Sequence, residues 1–397
     1  MKRWQRLWAA AILALVLAGP APVLAANEIV VGGSLSLTGP FSEPANRMSN
    51  SYRMYVDELN ARGGWLGRKV KLVLLDDKSD NQTAIRLYEK LIVEDKVDLL
   101  VGPYASAPTD AVANVVERYK FPMIGVGASS LSIWSKGRKY TFNVIQVAQD
   151  YQKGALHLAK EIGLKRIAVI SQDTLFPRQA AEGVVAWAKE LGLEVVLNEN
   201  YPTKQTDFSA LLQKIKVRRV DAIISNSYFA DAAAQLRQMK EQNFNVKMFS
   251  STVGPALPRF PEELGPIAEY VLGYSQWEPL PDILKNPGMA EYIASYQKRF
   301  NEVPNYHAGQ AYAGLQILET AIKKAGSIDK AKLWETLKGL ETTTILGRWK
   351  VDDRLMNEHE GLTFQIQNGK RLVVWPPRYA QTKAKLPMPD WDKRPKN

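Results

Sequence analysis

The chain has 397 residues, 46% of them hydrophobic and 23% charged, with 52 Lys and Arg against 41 Asp and Glu for a formal charge of +11. That composition excludes a disordered or collagen-like chain, and the length allows two domains with substantial cores. No cysteine is present, which excludes disulfides and lipid attachment through a thiol.

Lys2, Arg3 and Arg6 precede an apolar run over 7–17, which leads through Gly19-Pro20 to Val23-Leu24-Ala25. This order of charged, apolar and small residues predicts a secretory signal peptide cleaved after Ala25, its apolar run being short for a membrane span. The expected product is soluble and exported. Cleavage leaves 49 basic residues against 41 acidic ones, about +8. A basic surface suits anionic ligands, whereas export argues against nucleic acid as a partner. Lys and Arg are dispersed except over 216–219 and in the tail over 383–396, as on an ordinary solvated surface.

Ile29-Val30-Val31 reads as a strand ending at Gly32-Gly33, followed by a helix over 48–59 that stops at the turn Arg62-Gly63-Gly64. A strand over 69–75 ends at Asp76-Asp77, and 82–94 carries Ile85, Leu91 and Ile92 at the spacing of an amphipathic helix. The stretch 97–130 then packs strand, loop, helix, strand and loop into a short space. Its first strand (99–101) stops at Gly102-Pro103, its helix covers 108–118, and its second strand (122–126) stops at Gly127-Ala128-Ser129-Ser130. If the two strands are parallel, both loops open at the carboxyl edge of the sheet, where helix N-terminal N–H groups and loop hydroxyls meet ligands. Ser106 and Ser129 are therefore candidate ligand contacts, each also readable as a helix cap.

From Asp150 the pattern restarts with helix 151–162, strand 167–170, helix 180–191, strand 194–197 and helix 207–216. Val220-Asp221-Ala222-Ile223-Ile224 parallels Val97-Asp98-Leu99-Leu100-Val101, and a strand over 246–250 ends in Ser251-Thr252-Val253. These are two structural copies of an α/β unit with little shared identity. Beyond Gly265 a strand over 270–273 leads to the proline-marked Trp277-Glu278-Pro279-Leu280-Pro281. Helices over 288–300, 307–325 and 332–340 follow, the last with Asp329 as N-cap, and then strands over 363–367 and 372–375. With four clear parallel strands per copy, the economical arrangement returns this section to both lobes, so that several crossings form a hinge. The predicted division is 1–25 signal peptide, 26–145 and 273–345 lobe 1, and 146–272 and 346–397 lobe 2 with the tail.

Catalytic and nucleotide signatures are missing. Gly125-Val126-Gly127 lacks the third glycine of a dinucleotide fingerprint, and there is no GxxxxGK[ST], GxSxG or HExxH. His157, His307 and His359 are far apart, and Glu358-His359-Glu360 reads as an exposed loop rather than a metal site. No enzyme, cofactor or metal is expected.

The Ser36-Leu37-Thr38-Gly39-Pro40 opening, the Asn60-Ala61-Arg62-Gly63-Gly64 turn, Gly67-Arg68-Lys69-Val70, Asp76-Asp77, Val101-Gly102-Pro103 and the Pro122-Met123-Ile124 strand with its Gly127-Ala128-Ser129 loop carry a family likeness. So do Asp150-Tyr151-Gln152-Lys153-Gly154, Val303-Pro304-Asn305-Tyr306 and Lys324-Ala325-Gly326-Ser327. Together they resemble the leucine/isoleucine/valine-binding family of type I periplasmic solute-binding proteins, the extracytoplasmic receptors of ABC importers. The resemblance implies two Rossmann-like lobes with parallel sheets, joined by a multi-strand hinge and closing on a small molecule. It also implies a periplasmic monomer whose partner is an ABC permease in the inner membrane.

By the same resemblance, Ser106 and the loop of Gly127, Ala128 and Ser129 would hold a ligand carboxylate. Two positions on the second lobe depart from the amino-acid-binding pattern. Phe176-Pro177 stands where a tyrosine and glycine are usual, and Val253 falls where an acidic residue pairs with the ligand's ammonium. A buried ammonium without an anion costs several kcal/mol. Asp231 begins a helical stretch and reads as a cap. Tyr151, Phe176 and Tyr228 would present rings to an apolar or aromatic body. The expected ligand is a small carboxylate, aromatic or branched, rather than an ordinary amino acid. An amide, a urea or a branched-chain amino acid stays open as an alternative.

Overall fold

A computed structural model of the chain describes residues 28–395; the signal-peptide reading lies outside them. The first lobe is built on β1 (Ile29–Leu35), β2 (Val70–Asp76), β3 (Leu99–Val101), β4 (Met123–Gly125) and β5 (Thr141–Asn143), in the order β2-β1-β3-β4-β5 with every pair parallel. The crossovers are α1 (Ser42–Ala61), α2 (Asn81–Val93), α3 (Ser106–Arg118) and the short α4 (Ser132–Ser135). Central strands of such a sheet are covered on both faces, so β3 and β4 are apolar runs buried throughout rather than alternating ones. Asp80 caps α2 by accepting from the Thr83 N–H at 2.7 Å.

The second lobe repeats the scheme with α5 (Lys153–Glu161), β6 (Arg166–Gln172), α6 (Leu175–Leu191), β7 (Glu194–Tyr201), α7 (Ser209–Val217), β8 (Ala222–Asn226), α8 (Phe229–Glu241), β9 (Met248–Ser251), α9 (Arg259–Leu264) and β10 (Leu272–Ser275). Strand–helix alternation of this kind forces right-handed parallel crossovers. The chain then gives α10 (Pro281–Leu284), α11 (Met289–Phe300), α12 (Tyr306–Ala325), α13 (Lys330–Lys338), a two-stranded ribbon β11 (Glu341–Thr344) and β12 (Gly347–Lys350), and finally β13 (Leu362–Gln367) and β14 (Lys370–Trp375). β13 joins β10 antiparallel and β14 joins β13 antiparallel, giving a seven-stranded sheet ordered β14-β13-β10-β9-β8-β6-β7. Asp329 caps α13 through the Lys332 N–H at 3.0 Å, as its sequence position predicts.

The strand count differs from the four per copy read in the sequence: there are five parallel strands in each lobe. The fifth strand is β5 in the first lobe, three residues long and too short to show a period, and in the second lobe β10, which the sequence shows over 270–273 but outside the repeated pattern.

The C-terminal section serves both lobes. Helix α12 lies against α1, where the Tyr55 hydroxyl donates to Glu319, Arg62 pairs with the same carboxylate at 2.5 Å, and the Tyr312 hydroxyl donates to Glu58 at 2.9 Å. Three crossings between the lobes are tied together by Gln146. Its N–H donates to Gln276 Oε1 at 3.0 Å, and its own Oε1 accepts from the Tyr274 hydroxyl at 2.7 Å and the Gly361 N–H at 3.1 Å.

Candidate ligand-binding cleft

Between the lobes lies a small cavity whose walls are carboxyl ends of strands and helix starts. On the first lobe, β3 and β4 each stop at a loop, and the loops are stitched together by an isolated bridge between Tyr104 and Gly127. A side chain at Gly127 would meet the Pro103 carbonyl and the Tyr104 ring at 3.1 Å, so only glycine permits this approach without displacement. Ser106 is the first helical residue of α3 and is buried; Ala105, not Ser106, occupies the N-cap position. The Ser106 hydroxyl accepts from the backbone N–H groups of Ser129 and Ser130 at 3.2 Å each. A hydroxyl that accepts twice still has its one proton to donate. Helix α3 has no side-chain cap, which leaves the Ser106 and Ala107 N–H groups of its first turn without an intrahelical partner, Pro108 having none.

The second-lobe wall is apolar. Tyr151 stands two residues before α5, Phe176 is in the first turn of α6, Tyr228 is the N-cap of α8, and Val253 lies two residues beyond β9. Their rings support one another: Tyr151 and Phe176 lie 5.1 Å apart in an edge contact, Phe176 and Tyr228 6.0 Å apart, and Tyr151 stacks on Tyr274 at 3.8 Å. The Tyr151 hydroxyl accepts from Gln276 Nε2 at 2.6 Å and shares a hydrogen bond with the Ser129 side chain, linking the hinge to the wall. Burial pushes its pKa up to about 12.

Seven of the eight residues singled out in the sequence therefore line one cavity: Ser106, Gly127, Ser129, Tyr151, Phe176, Tyr228 and Val253. Ala128 is the exception. Its side chain packs into the first-lobe core, and its carbonyl is turned toward Asn143 Nδ2 at 3.5 Å. Sequence reasoning missed Tyr104, Ala105, Ile145, Tyr306 and Gln310, which complete the lining. Tyr104 lies inside the strand–loop unit that the sequence marked. Tyr306 and Gln310 sit one turn apart on α12, whose continuous apolar pattern reads as core.

No Asp, Glu, Lys, Arg or His lines the cavity. His307 lies behind it, with Nε2 3.2 Å from the Tyr104 hydroxyl and its ring stacked on Tyr306 at 3.8 Å. Burial, and then the charges of Arg47 and Arg371, hold its pKa well below the usual imidazole range. Asp231 stands behind Tyr228, outside the lining. Burial raises it to about 6 against hydrogen bonds from Tyr201, the Tyr228 backbone and Gln172 Nε2, the last at 2.8 Å. It sits in the first turn of α8 and reaches back to the backbone of the N-cap residue, the acidic half of a capping box. No cluster of three or more metal-ligating side chains and no helix long and apolar enough to cross a membrane occur among the described residues.

A family profile described as "Periplasmic binding protein" matches residues 28–370. The chain belongs to the periplasmic binding protein family. Its members are the ligand-binding components of ABC transporters and not enzymes. One relative is Leu/Ile/Val-binding protein homolog 7 of Brucella suis biovar 1, 27% identical over 394 residues that span 94% of this chain and 98% of that protein. Among solved structures, the leucine-binding protein LivK from Thermotoga maritima superposes with a TM-score of 0.80 at 23% identity, covering 87% of this chain and 97% of that one. A solute-binding protein from Rhodopseudomonas palustris BisB5, in complex with 3,4-dihydroxybenzoic acid, superposes with a TM-score of 0.77 at 19% identity, covering 91% and 98%. The type I binding-protein fold with two lobes and parallel sheets is thereby established for this chain.

Proposed function

We propose that this periplasmic binding protein captures a small carboxylate with an aromatic or branched apolar body and no ammonium group, and delivers it to an ABC permease. The observation that carries the reading is the lining: two serine hydroxyls and a helix N-terminus stand at the first-lobe end, and no Asp, Glu, Lys, Arg or His is among the lining residues. The Ser106 hydroxyl, the Ser129 side chain and the N–H groups starting α3 suit an anion. Charge-assisted bonds of this kind contribute roughly 1.5–3 kcal/mol each, and the helix dipole adds to them. An amino acid's ammonium would meet Val253 and tyrosine rings with no anion to offset its desolvation. The relatives' ligands span both classes, leucine in one name and a dihydroxybenzoic acid in another.

A thermal-shift panel of purified protein tests this with aromatic acids, branched aliphatic acids, amides, urea and amino acids. At about 100 times its dissociation constant a ligand adds roughly 2.7 kcal/mol, a clear rise in Tm. Acids are expected to respond, and Ser106→Ala and Ser129→Ala to weaken them about tenfold while the fold stays intact. A response to leucine or valine with none to simple acids would overturn the reading.

A further inference from the structure

Gln310 is a fully buried lining side chain whose amide oxygen has no hydrogen-bond partner among the described residues. The nearest polar contact of its Nε2 is Met48 Sδ at 3.7 Å. The glutamines of the neighbouring hinge behave differently. Gln146 and Gln276 are bonded at both ends of their amides or through backbone and side chain together. An amide buried with its oxygen unpaired and its NH₂ on a thioether alone is destabilising, and α12 is otherwise a core helix in which leucine would pack without that cost. Its position in the cavity wall, one turn beyond Tyr306, says where a partner would come from.

We infer that Gln310 reads an uncharged polar substituent on the ligand, a hydroxyl or a carboxamide, so that the preferred ligand is a hydroxylated or amide-bearing acid rather than the parent hydrocarbon acid. The inference rests on the proposed acid-binding function and adds a second point of recognition to it. The chemistry of the amide selects the group. Its oxygen and NH₂ are interchangeable by a flip of the side chain, so it complements a group that both donates and accepts. A second carboxylate would call for a cation and an ammonium for an anion, and the lining offers neither. Sites built to bond a substrate hydroxyl reject the analogue lacking it far more strongly than a hydrophobic pocket rejects a missing methylene.

Paired ligands test this by calorimetric titration: benzoate with 4-hydroxybenzoate and 3,4-dihydroxybenzoate, isovalerate with 2-hydroxyisovalerate, and succinamate with butyrate. The wild type is expected to favour the polar member of at least one pair about tenfold or more. Gln310→Leu should erase that ratio by weakening the polar member at least tenfold more than its parent, and the ligand-free variant should melt at or above the wild-type Tm. Ser106→Ala should weaken both members alike. Equal affinities within every wild-type pair, or a Gln310→Leu variant that weakens both members equally, would overturn the assignment while leaving acid binding in place. Failure of every acid to bind would instead remove the underlying function and the assignment with it.

Discussion

His307 shows how a single buried residue sets a pH limit on the lobe that holds Ser106 and Ser129. Its Nδ1 faces Asn305 Nδ2 at 3.3 Å and its Nε2 faces Tyr104, so nothing nearby rewards a positive charge. The unfolded chain takes up a proton below about pH 6.5, whereas the folded one resists it. Stability from this group is therefore complete above about 6.5 and falls as pH drops, by up to about 1.4 kcal/mol per pH unit. Asp231 acts in the opposite sense. With its folded pKa raised to about 6, it favours the folded state increasingly as pH falls through 6 toward its unfolded value. The two are separated by comparing wild type with His307→Gln: the variant's Tm should decline less between pH 7.5 and 5.5. Identical slopes would show that His307 is not the titrating group. The same scale divides the legible from the illegible in the cleft. Ser106 and Ser129 could be found because small hydroxyl residues follow apolar strand ends. Gln310 could not, because one polar residue in a helix with buried neighbours on every side looks the same whether it meets core or cavity.

Among the elements, the unit β3–α3, the strand β4 with its loop, and the second-lobe strands β8 and β9 were readable because parallel strands covered on both faces are short apolar runs with glycine or hydroxyl residues at their ends; the short helices α4 and α9 carried no such mark. Other elements carry sequence marks whose reason lies elsewhere. Gly154, in the first turn of α5, belongs to the Asp150-Tyr151-Gln152-Lys153-Gly154 segment, yet its cause is distant: a Cβ there would lie 2.2 Å from Thr363 Oγ1 and 2.6 Å from the Trp375 ring. Helix α5 docks on β13 and β14 only because that side chain is missing. Gly154→Ala is expected to cost about 1–3 kcal/mol by overpacking. Gly339→Ala, whose added Cβ meets only the Glu335 carbonyl at 3.7 Å, should be close to neutral. Urea unfolding of both variants checks this, and equal midpoints would contradict the docking argument. The ribbon β11–β12 and the three-residue β5 carry no comparable mark, since their pairing depends on neighbours rather than on their own pattern.

At the level of the whole molecule, contacts across the mouth of the cleft hold the lobes together. Glu43 of α1 pairs with Arg259 of α9 at 2.6 Å, Phe41 meets Tyr228 at 4.9 Å, and the Ser132 N–H donates to Gln179 Oε1 at 3.1 Å. Arg259 also covers the Phe229 ring at 3.6 Å. Closure that depends on such contacts changes apparent affinity through the fraction of closed protein. Arg259 is 44% exposed, so the pair is partly screened; Arg259→Ala is expected to weaken binding about 1.5- to 5-fold without touching the ligand. Titration together with small-angle scattering checks this, and unchanged affinity with an unchanged solution envelope would show that the pair does not hold the lobes. The amino-acid sequence by itself determined the alternation of strands and helices, the two copies and the hydroxyl-rich loops, because periodicity and turn chemistry are written over a few residues at a time. Only the tertiary structure decided which side chains share the cavity. Sheet order and the return of α12 bring Ser106 and Gln310, more than two hundred positions apart, to one site, and no local pattern encodes that meeting.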